Sequence, residues 1–407
     1  MKTNPFLGSV LLIVGTSVGA GMLALPVSTA AYGFFPSIAL FVVCWLCMMV
    51  SGLLILEANL WLNPGANLVS MAQATLGVWG KAVTWGVYLL LFYSLMAAYI
   101  SGMGDLVSHA VESQFYVVIS TGVGSLGLIL LVGLAISLGL RSVDYVNRLF
   151  FFGKLVTYVA VVIAIIAFVN VSQLATVHFS HAWLALPIVI TSFGFQHIVP
   201  VLRVYLQDDV KKLRLAIVIG STISLFIYSM WEFVILGAVP TEGNGGLMQI
   251  WALGQPATGL AASLDHLLNK SWISTLFKLF TFFAIMTSFI GVSCGLFDFL
   301  LDSFDGRKTV KGRSFALMLT FLPPLVFAFA YPDGFIFALG YAGVFLAILS
   351  VVLPVCIIWS GRYRRRAAIR AFASKSAHIA YRANVNKWGL ALIFLFGAAV
   401  ILAQLWR

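Results

Sequence analysis

The sequence is dominated by long apolar runs that lack the alternation of an amphipathic strand. Of 407 residues, 61% are hydrophobic and only 9% are charged, and about eleven runs are long enough for membrane spans. A membrane-crossing helix needs about 20 apolar residues, whereas a barrel strand shows about 10 in alternation. The pattern predicts an all-α integral membrane protein and excludes a soluble globular one. The predicted spans are 6–31, 35–60, 84–104, 117–139, 149–170, 183–203, 215–238, 275–303, 314–330, 334–358 and 388–405.

The basic residues predict the orientation of these spans. With the N-terminus in the cytoplasm, twenty of the 24 Lys and Arg residues fall in inside loops, and only Lys270 and Arg407 fall outside. Because cytoplasmic loops are enriched in Lys and Arg, we expect a cytoplasmic N-terminus, an odd number of spans and an external C-terminus. The net charge of +11 then reports topology in the lipid bilayer, and not nucleic-acid binding.

The first apolar run is interrupted at mid-depth of the membrane. It contains Gly15-Thr16-Ser17-Val18-Gly19-Ala20-Gly21 and then Pro26, where a regular helix would carry Leu, Ile or Val. Glycine weakens a helix and proline removes a backbone donor. In a bilayer, irregular backbone survives only where protein or a water-filled cavity satisfies the freed groups. The stretch is therefore either a close-packed helix contact or a broken helix at the binding site of a transporter.

The sixth apolar run carries a similar interruption. It reads Thr191-Ser192-Phe193-Gly194-Phe195-Gln196-His197-Ile198-Val199-Pro200, and by the charge count it runs opposite to the first run. Two interrupted helices, five spans apart and inverted, are what a five-plus-five inverted repeat predicts, here over residues 6–170 and 183–358. Packing glycines have no reason to recur at that offset. The echo favours a transporter site over simple packing.

Several motifs resemble those of the bacterial aromatic amino acid permeases, and the likeness is strongest to the tyrosine-specific members. It extends from about residue 7 to residue 352. Members usually carry His directly after the Phe-Gly-Phe of the sixth span, whereas here Gln196 stands there and His197 follows. The motifs are Gly15 to Pro26, Ala97-Ala98-Tyr99-Ile100-Ser101-Gly102, Thr191-Ser192-Phe193-Gly194-Phe195, Ser288-Phe289-Ile290-Gly291-Val292, Gly295-Leu296-Phe297-Asp298, Phe321-Leu322-Pro323-Pro324, Tyr331-Pro332 and Ala338-Leu339-Gly340-Tyr341-Ala342-Gly343.

The resemblance implies a fold and an activity. The family belongs to the amino acid–polyamine–organocation superfamily, which implies a leucine-transporter-like fold with broken helices 1 and 6 and an extra eleventh helix. It implies import of an aromatic amino acid, tyrosine foremost, by proton symport in the bacterial inner membrane, without a cofactor. We expect a transport core in residues 1–360, a basic cytoplasmic loop in residues 361–387 against anionic headgroups, and the eleventh helix in residues 388–407.

A zwitterionic amino acid needs donors for its carboxylate, acceptors for its ammonium and a sleeve for its side chain. We expect free N–H groups between Ser17 and Gly21 to hold the carboxylate, aided by the half-helix that follows. Freed carbonyls near Thr16, Ser192 and Phe193 would take the ammonium, and the rings of Phe193 and Phe195 would flank an aromatic side chain. No acidic residue lies in the two broken helices, which favours a neutral substrate. The expected binding residues are Thr16, Ser17, Gly19, Ala20, Gly21, Tyr99, Ser192, Phe193, Gly194, Phe195, Gln196, Thr287 and Tyr341.

Ionisable residues within spans are costly and demand a reason. By resemblance, Lys154 of the fifth span would bridge the first break to the eighth span near Ser288 and couple proton movement to conformational change. Its alternative role is snorkelling to the cytoplasmic surface. His197 is a second candidate for proton handling, or a structural histidine. The remaining ionisable candidates are Glu57 and Asp298 as gate or ion-pair residues, and Glu232 with Lys278 as a mutual pair.

Other functions stay open at this point. A carrier or exchanger of another neutral amino acid, including a sodium-coupled one, would carry the same features. A membrane enzyme would need a catalytic cluster at mid-depth, and the six histidines show no such grouping. A channel would show a repeated filter or rings of charge. The four cysteines lie in apolar runs and indicate neither disulfides nor a metal site. No pattern predicts an oligomeric state.

Overall fold

The described part of the protein is helical throughout. The computed structural model describes residues 4–138, 140–177, 182–303, 309–364 and 381–406. Their helices are α1 (Pro5–Ser17), α2 (Gly21–Thr29), α3 (Phe34–Leu60), α4 (Leu68–Leu76), α5 (Val78–Phe115), α6 (Thr121–Leu138), α7 (Leu140–Ile166), α8 (Val171–Leu174), α9 (Leu186–Ser192), α10 (Val199–Tyr205), α11 (Val210–Ala238), α12 (Leu247–Leu253), α13 (Pro256–Leu268), α14 (Ser271–Ser303), α15 (Val310–Ala330), α16 (Phe335–Ala347), α17 (Leu353–Trp359) and α18 (Lys387–Trp406).

Many of the longer helices, alone or joined end to end, are long and apolar enough to cross a membrane. Within the described ranges nine segments meet that test, and the bent pair α1–α2 adds a tenth. The shorter apolar helix Thr121–Ser137 lies in the predicted fourth span. The prediction of an all-α integral membrane protein is confirmed, whereas the count of eleven spans and the inverted repeat stay predictions. Helix α5 is longer than the predicted 84–104 because it continues in the same helix through polar residues such as Ser108, His109 and Glu112.

The first span is broken where the sequence predicts. Helices α1 and α2 meet at 55° across residues 18–20. Val18 leaves the helix with a ψ of 93°, and Ala20 starts the next one. Every residue of α2 is buried, including Pro26. A half-helix that is enclosed by protein on all sides satisfies the requirement for irregular backbone within a bilayer.

The sixth span is also interrupted where predicted. Helix α9 ends at Ser192, a single 3₁₀ turn covers Gln196–Ile198, and α10 starts at Val199 with Pro200 in its first turn. Proline is favoured there because its missing N–H would lack a helical partner anyway. A further irregularity, which was not predicted, is a π-helical turn at Ile348–Val352 between α16 and α17.

The two broken spans lie within a shell of other helices. Helix α11 packs against both α1 and α2, α9 packs against α2, and α7 packs against α14. The third-span helix α5 contacts α14 and α16. This arrangement brings α7, α11 and α14 around the break between α1 and α2, so side chains on those helices can reach its freed backbone groups.

Candidate functional site

Lys154 binds the backbone of the first break. Its Nζ donates a hydrogen bond to Val18 O over 2.6 Å, and the side chain is only 4% exposed. The ammonium also lies 5.3 Å from the centroid of the Phe151 ring. Because the chain leaves the helix at Val18, this carbonyl needs a new donor. Snorkelling, the alternative role, is wrong for this conformation because the side chain is buried and points to the break.

Ser288 of α14 binds the opposite side of the same break. Ala20 N donates to Ser288 Oγ over 3.0 Å, and the Tyr99 hydroxyl of α5 also faces this side chain. A Cβ on Gly19 would lie 2.4 Å from Ser288 Oγ, so only glycine allows α14 to approach this closely. Lys154 and Ser288 therefore hold consecutive parts of one unwound segment, between α7 and α14.

Tyr228 of α11 joins the two breaks, although it was not among the residues predicted from the sequence. Its hydroxyl lies 2.6 Å from Ser17 O and 2.6 Å from Ser192 O, the carbonyls at which α1 and α9 end. A phenol has one proton, so the two carbonyls share a single donor. The signal that could have found it is a polar stripe at helical spacing along an apolar span, formed by the buried residues Ser221, Ser224, Tyr228 and Glu232.

The two broken helices pack closely together and leave one buried hydroxyl without a partner. A Cβ on Gly21 would lie 3.0 Å from Ser192 Oγ, so the start of α2 packs directly on the end of α9. The Ser17 hydroxyl is 6% exposed and has no hydrogen-bond partner among the described residues. A buried hydroxyl without a partner is costly and is available for a ligand. The structure thus gathers Ser17, Gly19, Ala20 and the residues around them into one cluster.

The two phenylalanines of the sixth break pack against neighbouring helices. The Phe193 ring stands edge-on to Tyr228, with centroids 5.1 Å apart, and edge-on to Phe41 of α3. A Cβ on Gly52 of α3 would lie 2.9 Å from the Phe195 ring. Both rings are 1% exposed and support the break in this conformation. Their role as flanks of a substrate ring stays a prediction.

Gln196 fastens the sixth break to α3. Its Nε2 donates to Met48 O over 3.0 Å, and its Oε1 accepts from Phe195 N over 2.9 Å. An interrupted helix leaves such an N–H without its usual carbonyl, and the amide supplies the acceptor. Both ends of the amide are thus occupied by protein, whereas the neighbouring His197 side chain is exposed.

The remaining binding candidates make contacts within or between helices. Thr16 Oγ1 donates to Leu12 O over 2.7 Å, and Thr287 Oγ1 donates to Phe283 O over 3.0 Å, each in its own helix. The Tyr341 ring packs on Phe337, with centroids 4.8 Å apart. A Cβ on Gly194 would lie 2.8 Å from the Leu346 side chain of α16. These side chains do not bond to the cluster around Ser17, and their roles stay predictions.

Glu57 forms a buried ion pair near the predicted cytoplasmic surface. Arg362 donates through Nε to Glu57 Oε1 over 2.8 Å and through Nη2 to Oε2 over 2.5 Å. The Ala383 N–H adds a third bond, and Arg362 also donates to Val385 O. A two-point arginine–carboxylate pair is strong and geometrically specific. Asp298, the other gate candidate, is half-buried in α14, and its gate role stays a prediction.

Arg203 is a second buried arginine, which the prediction from sequence used only as a sign of membrane topology. Arg203 of α10 is fully buried and donates to Asn59 O in the last turn of α3 and, over 2.9 Å, to Leu62 O just after the end of that helix. Its Nε lies 2.5 Å from Asp208 Oδ1. A cation at the C-terminal end of a helix satisfies orphan carbonyls and complements the helix dipole. The inner half of the sixth span is therefore tied to α3.

The expected pairing of Glu232 with Lys278 is wrong. Glu232 is fully buried and contacts Thr29 of α2, whereas Lys278 is exposed. One side chain is buried and the other is exposed, so the two point in different directions. A similar predicted depth in the membrane therefore does not make them neighbours.

The comparisons with known proteins agree with this architecture. A family model described as "Tryptophan/tyrosine permease family" matches residues 2–404. The chain is 34% identical to "Tyrosine-specific transport system 1" of Haemophilus influenzae, over 88% of this chain and 89% of that protein. It is 31% identical to a "Tryptophan-specific transport protein" of Shigella flexneri, over 99% of this chain and 96% of that protein. These relatives are transport proteins and not enzymes. The chain therefore belongs to the tryptophan/tyrosine permease family.

Proposed function

We propose that the protein imports an aromatic amino acid, tyrosine foremost, by proton symport through alternating access. One observation carries the proposal: the freed backbone groups of two interrupted helices converge on the Tyr228 hydroxyl, which contacts Ser17 O and Ser192 O. Converging ends of broken helices at mid-depth are typical of transporter binding sites. Relatives named for tyrosine and for tryptophan support an aromatic substrate.

The backbone of the substrate is bound by the broken helices. Its carboxylate takes the N–H groups at the start of α2, near Gly21, where the helix dipole favours an anion. Its ammonium takes Ser17 O and Ser192 O, and so displaces the Tyr228 hydroxyl from them. The Ser17 hydroxyl, which lacks a partner, supplies a further bond. The aromatic ring extends from there toward Tyr99, Phe193 and their neighbours.

The proton acts at Lys154. As an ammonium, it donates to Val18 O and holds the first break against α7. After deprotonation the amine is a weaker donor without charge, so the contact between α1 and α7 loosens. A ligand or proton shifts a conformational equilibrium only by binding the two states differently. Lys154 meets that condition because its bonded carbonyl lies at the joint between the two half-helices.

The test is uptake into proteoliposomes. Labelled tyrosine, tryptophan, phenylalanine and leucine are offered under an imposed pH gradient, an imposed sodium gradient, or neither. We expect tyrosine to accumulate fastest with the pH gradient alone. Accumulation driven only by sodium, or of leucine in preference to the aromatic amino acids, would support the alternative of another neutral amino acid carrier. No uptake of any amino acid would refute transport of this class.

The proposed location is the bacterial inner membrane, with the N-terminus in the cytoplasm. The relatives are bacterial, and the distribution of Lys and Arg places the N-terminus in the cytoplasm and the C-terminus outside. Alkaline phosphatase fused to the C-terminus should be active, whereas the same enzyme inserted in residues 361–387 should be inactive. The opposite result would invert the topology.

A further inference from the structure

Glu232 is a buried acid to which the proposed mechanism gives no role. It is fully buried in α11, four residues after Tyr228 and on the same helical face. Placing an acidic side chain inside a membrane costs about 2.5–3.5 kcal/mol on insertion scales. In the described part of the chain no Lys or Arg forms an ion pair with it, and its Oε2 has no hydrogen-bond partner.

The hydroxyl groups that face Glu232 have other acceptors for their protons. Thr29 Oγ1 contacts Glu232 Oε1 and also lies 2.7 Å from Leu25 O. The Ser37 hydroxyl of α3, which also faces Glu232, donates to Gly33 O over 2.7 Å. Each hydroxyl has a single proton. With those protons on the carbonyls, both oxygens present lone pairs to Glu232, and only a group with a proton of its own complements them.

Among the described side chains of the neighbouring helices, none forms an ion pair that would offset a carboxylate at Glu232. Helix α11 packs against α1, α2, α3, α7 and α8. Helices α1, α2 and α8 carry no ionisable side chain. On α3, Glu57 is paired with Arg362 at the far end. On α7, the Tyr158 hydroxyl donates to Ile227 O over 3.0 Å, and the Lys154 ammonium donates to Val18 O.

We propose that Glu232 is a second proton-binding site, which carries a proton while α2 packs on α11 and releases it when α2 moves away. The carboxylic acid donates from Oε1 to Thr29 Oγ1, which in turn donates to Leu25 O. When the contact opens, water takes the proton and hydrates the carboxylate. In the import direction this release is to cytoplasmic water, and the proton bound in the next cycle comes from external water once the site has opened to the outside, so that each cycle moves one proton inwards with the substrate.

This second site rests on the proposed function and deepens it. Thr29 is the last residue of α2, and Val18 precedes its start. Lys154 and Glu232 therefore bind protons at opposite ends of the same half-helix. Tyr228, one turn from Glu232, binds both broken helices. Helix α11 thus carries the substrate contact and the proton contact on one face, which is the geometry that coupling requires.

Infrared difference spectroscopy of the purified protein tests whether Glu232 is protonated. Wild type at pH 7 should show a carboxylic acid C=O band that Glu232→Gln removes, while Asp265→Asn, an exposed acid on α13, leaves the band in place. Thr29→Val, which removes the acceptor, should shift the band to higher frequency. Spectra of wild type and Glu232→Gln that are identical in this region would overturn the proposal. If Glu232→Gln does not fold, Thr29→Val decides instead: an absent or unshifted band in that variant would overturn the proposal.

Uptake measurements test whether this proton is coupled. Each coupled proton raises the limiting accumulation ratio by about tenfold per unit of pH gradient. Glu232→Gln should lower the ratio by that factor, whereas Asp265→Asn should match wild type. Equal ratios in wild type and Glu232→Gln would overturn coupling through Glu232. A wild type without proton-driven accumulation would refute the proposed function, while the infrared result would still decide the protonation of Glu232.

Discussion

Replacing Tyr228 by Phe should tighten substrate binding while it destabilises the empty protein. The hydroxyl that is removed contacts Ser17 O and Ser192 O, each at 2.6 Å, and the proposed ammonium replaces it there. In the empty variant the two carbonyls lose their donor. In the occupied variant the substrate supplies the donors, so the bound state is nearly unaffected. The mutation therefore acts mainly on the empty state.

The size of the effect follows from the contacts. A buried polar group that loses its partner costs about 1–3 kcal/mol. The ring remains, so its edge-on contact with Phe193 persists. If the empty state alone bears this cost, the dissociation constant of tyrosine falls by about 5- to 150-fold. The midpoint of thermal unfolding without substrate should fall at the same time.

Calorimetric titration of the purified protein with tyrosine, together with thermal unfolding, measures both quantities. Tyr158→Phe is the matched control, because its hydroxyl donates to the single carbonyl of Ile227 and bonds neither of the two carbonyls at the breaks. That variant should lose a little stability and keep the wild-type dissociation constant. Weaker binding in Tyr228→Phe, or binding equal to wild type, would refute displacement of the hydroxyl by the ammonium.

Three other substitutions test the site and its supports. Lys154→Ala should abolish gradient-driven accumulation while tyrosine binding to the purified protein persists, and unchanged accumulation would remove Lys154 from coupling. Gly19→Ala should abolish uptake because its Cβ would lie 2.4 Å from Ser288 Oγ. The double variant with Ser288→Ala should recover part of the uptake, because the next atom then lies 3.6 Å away. Failure of this rescue would exclude the steric cause. Arg362→Gln should lower the free energy of unfolding by about 3–5 kcal/mol because it leaves Glu57 buried without its cation. A loss of stability smaller than that caused by a substitution at an exposed residue would contradict this expectation.

The positions of the two breaks were predictable from the sequence, and their contacts were not. Glycine and proline change the backbone locally, so Gly19, Gly21 and Pro26 indicated an interruption without knowledge of other helices. Lys154 was a candidate because a charge within a span demands a partner, and its place at the first break was implied by the family resemblance. The polar partner of a carbonyl such as Ser192 O depends on the rotation of α11 about its axis, which hydropathy does not specify.

Gln196 and Glu232 both show that the contacts of a side chain are hard to predict from sequence. Gln196 is predicted to contact the substrate by its place in a motif, and the sequence does not show that its amide bonds to Met48 O and Phe195 N. Glu232 looked like a partner of Lys278 by depth in the membrane, but it faces α2. Depth along a span can be estimated from sequence, whereas direction around a helix depends on packing that residue types only partly constrain.

The ion pair of Glu57 and Arg362 has a consequence for the end of the chain. Its bonds to Ala383 and Val385 recruit residues from the segment that leads into α18. A Cβ on Gly340 of α16 would lie 2.6 Å from the Gln404 side chain, so the last helix also contacts the bundle near its other end. A chain that ended before Ala383 would lose ligands of this pair. The segment that leads into α18, together with α18 itself, is thus a component of the bundle, and not a removable appendage.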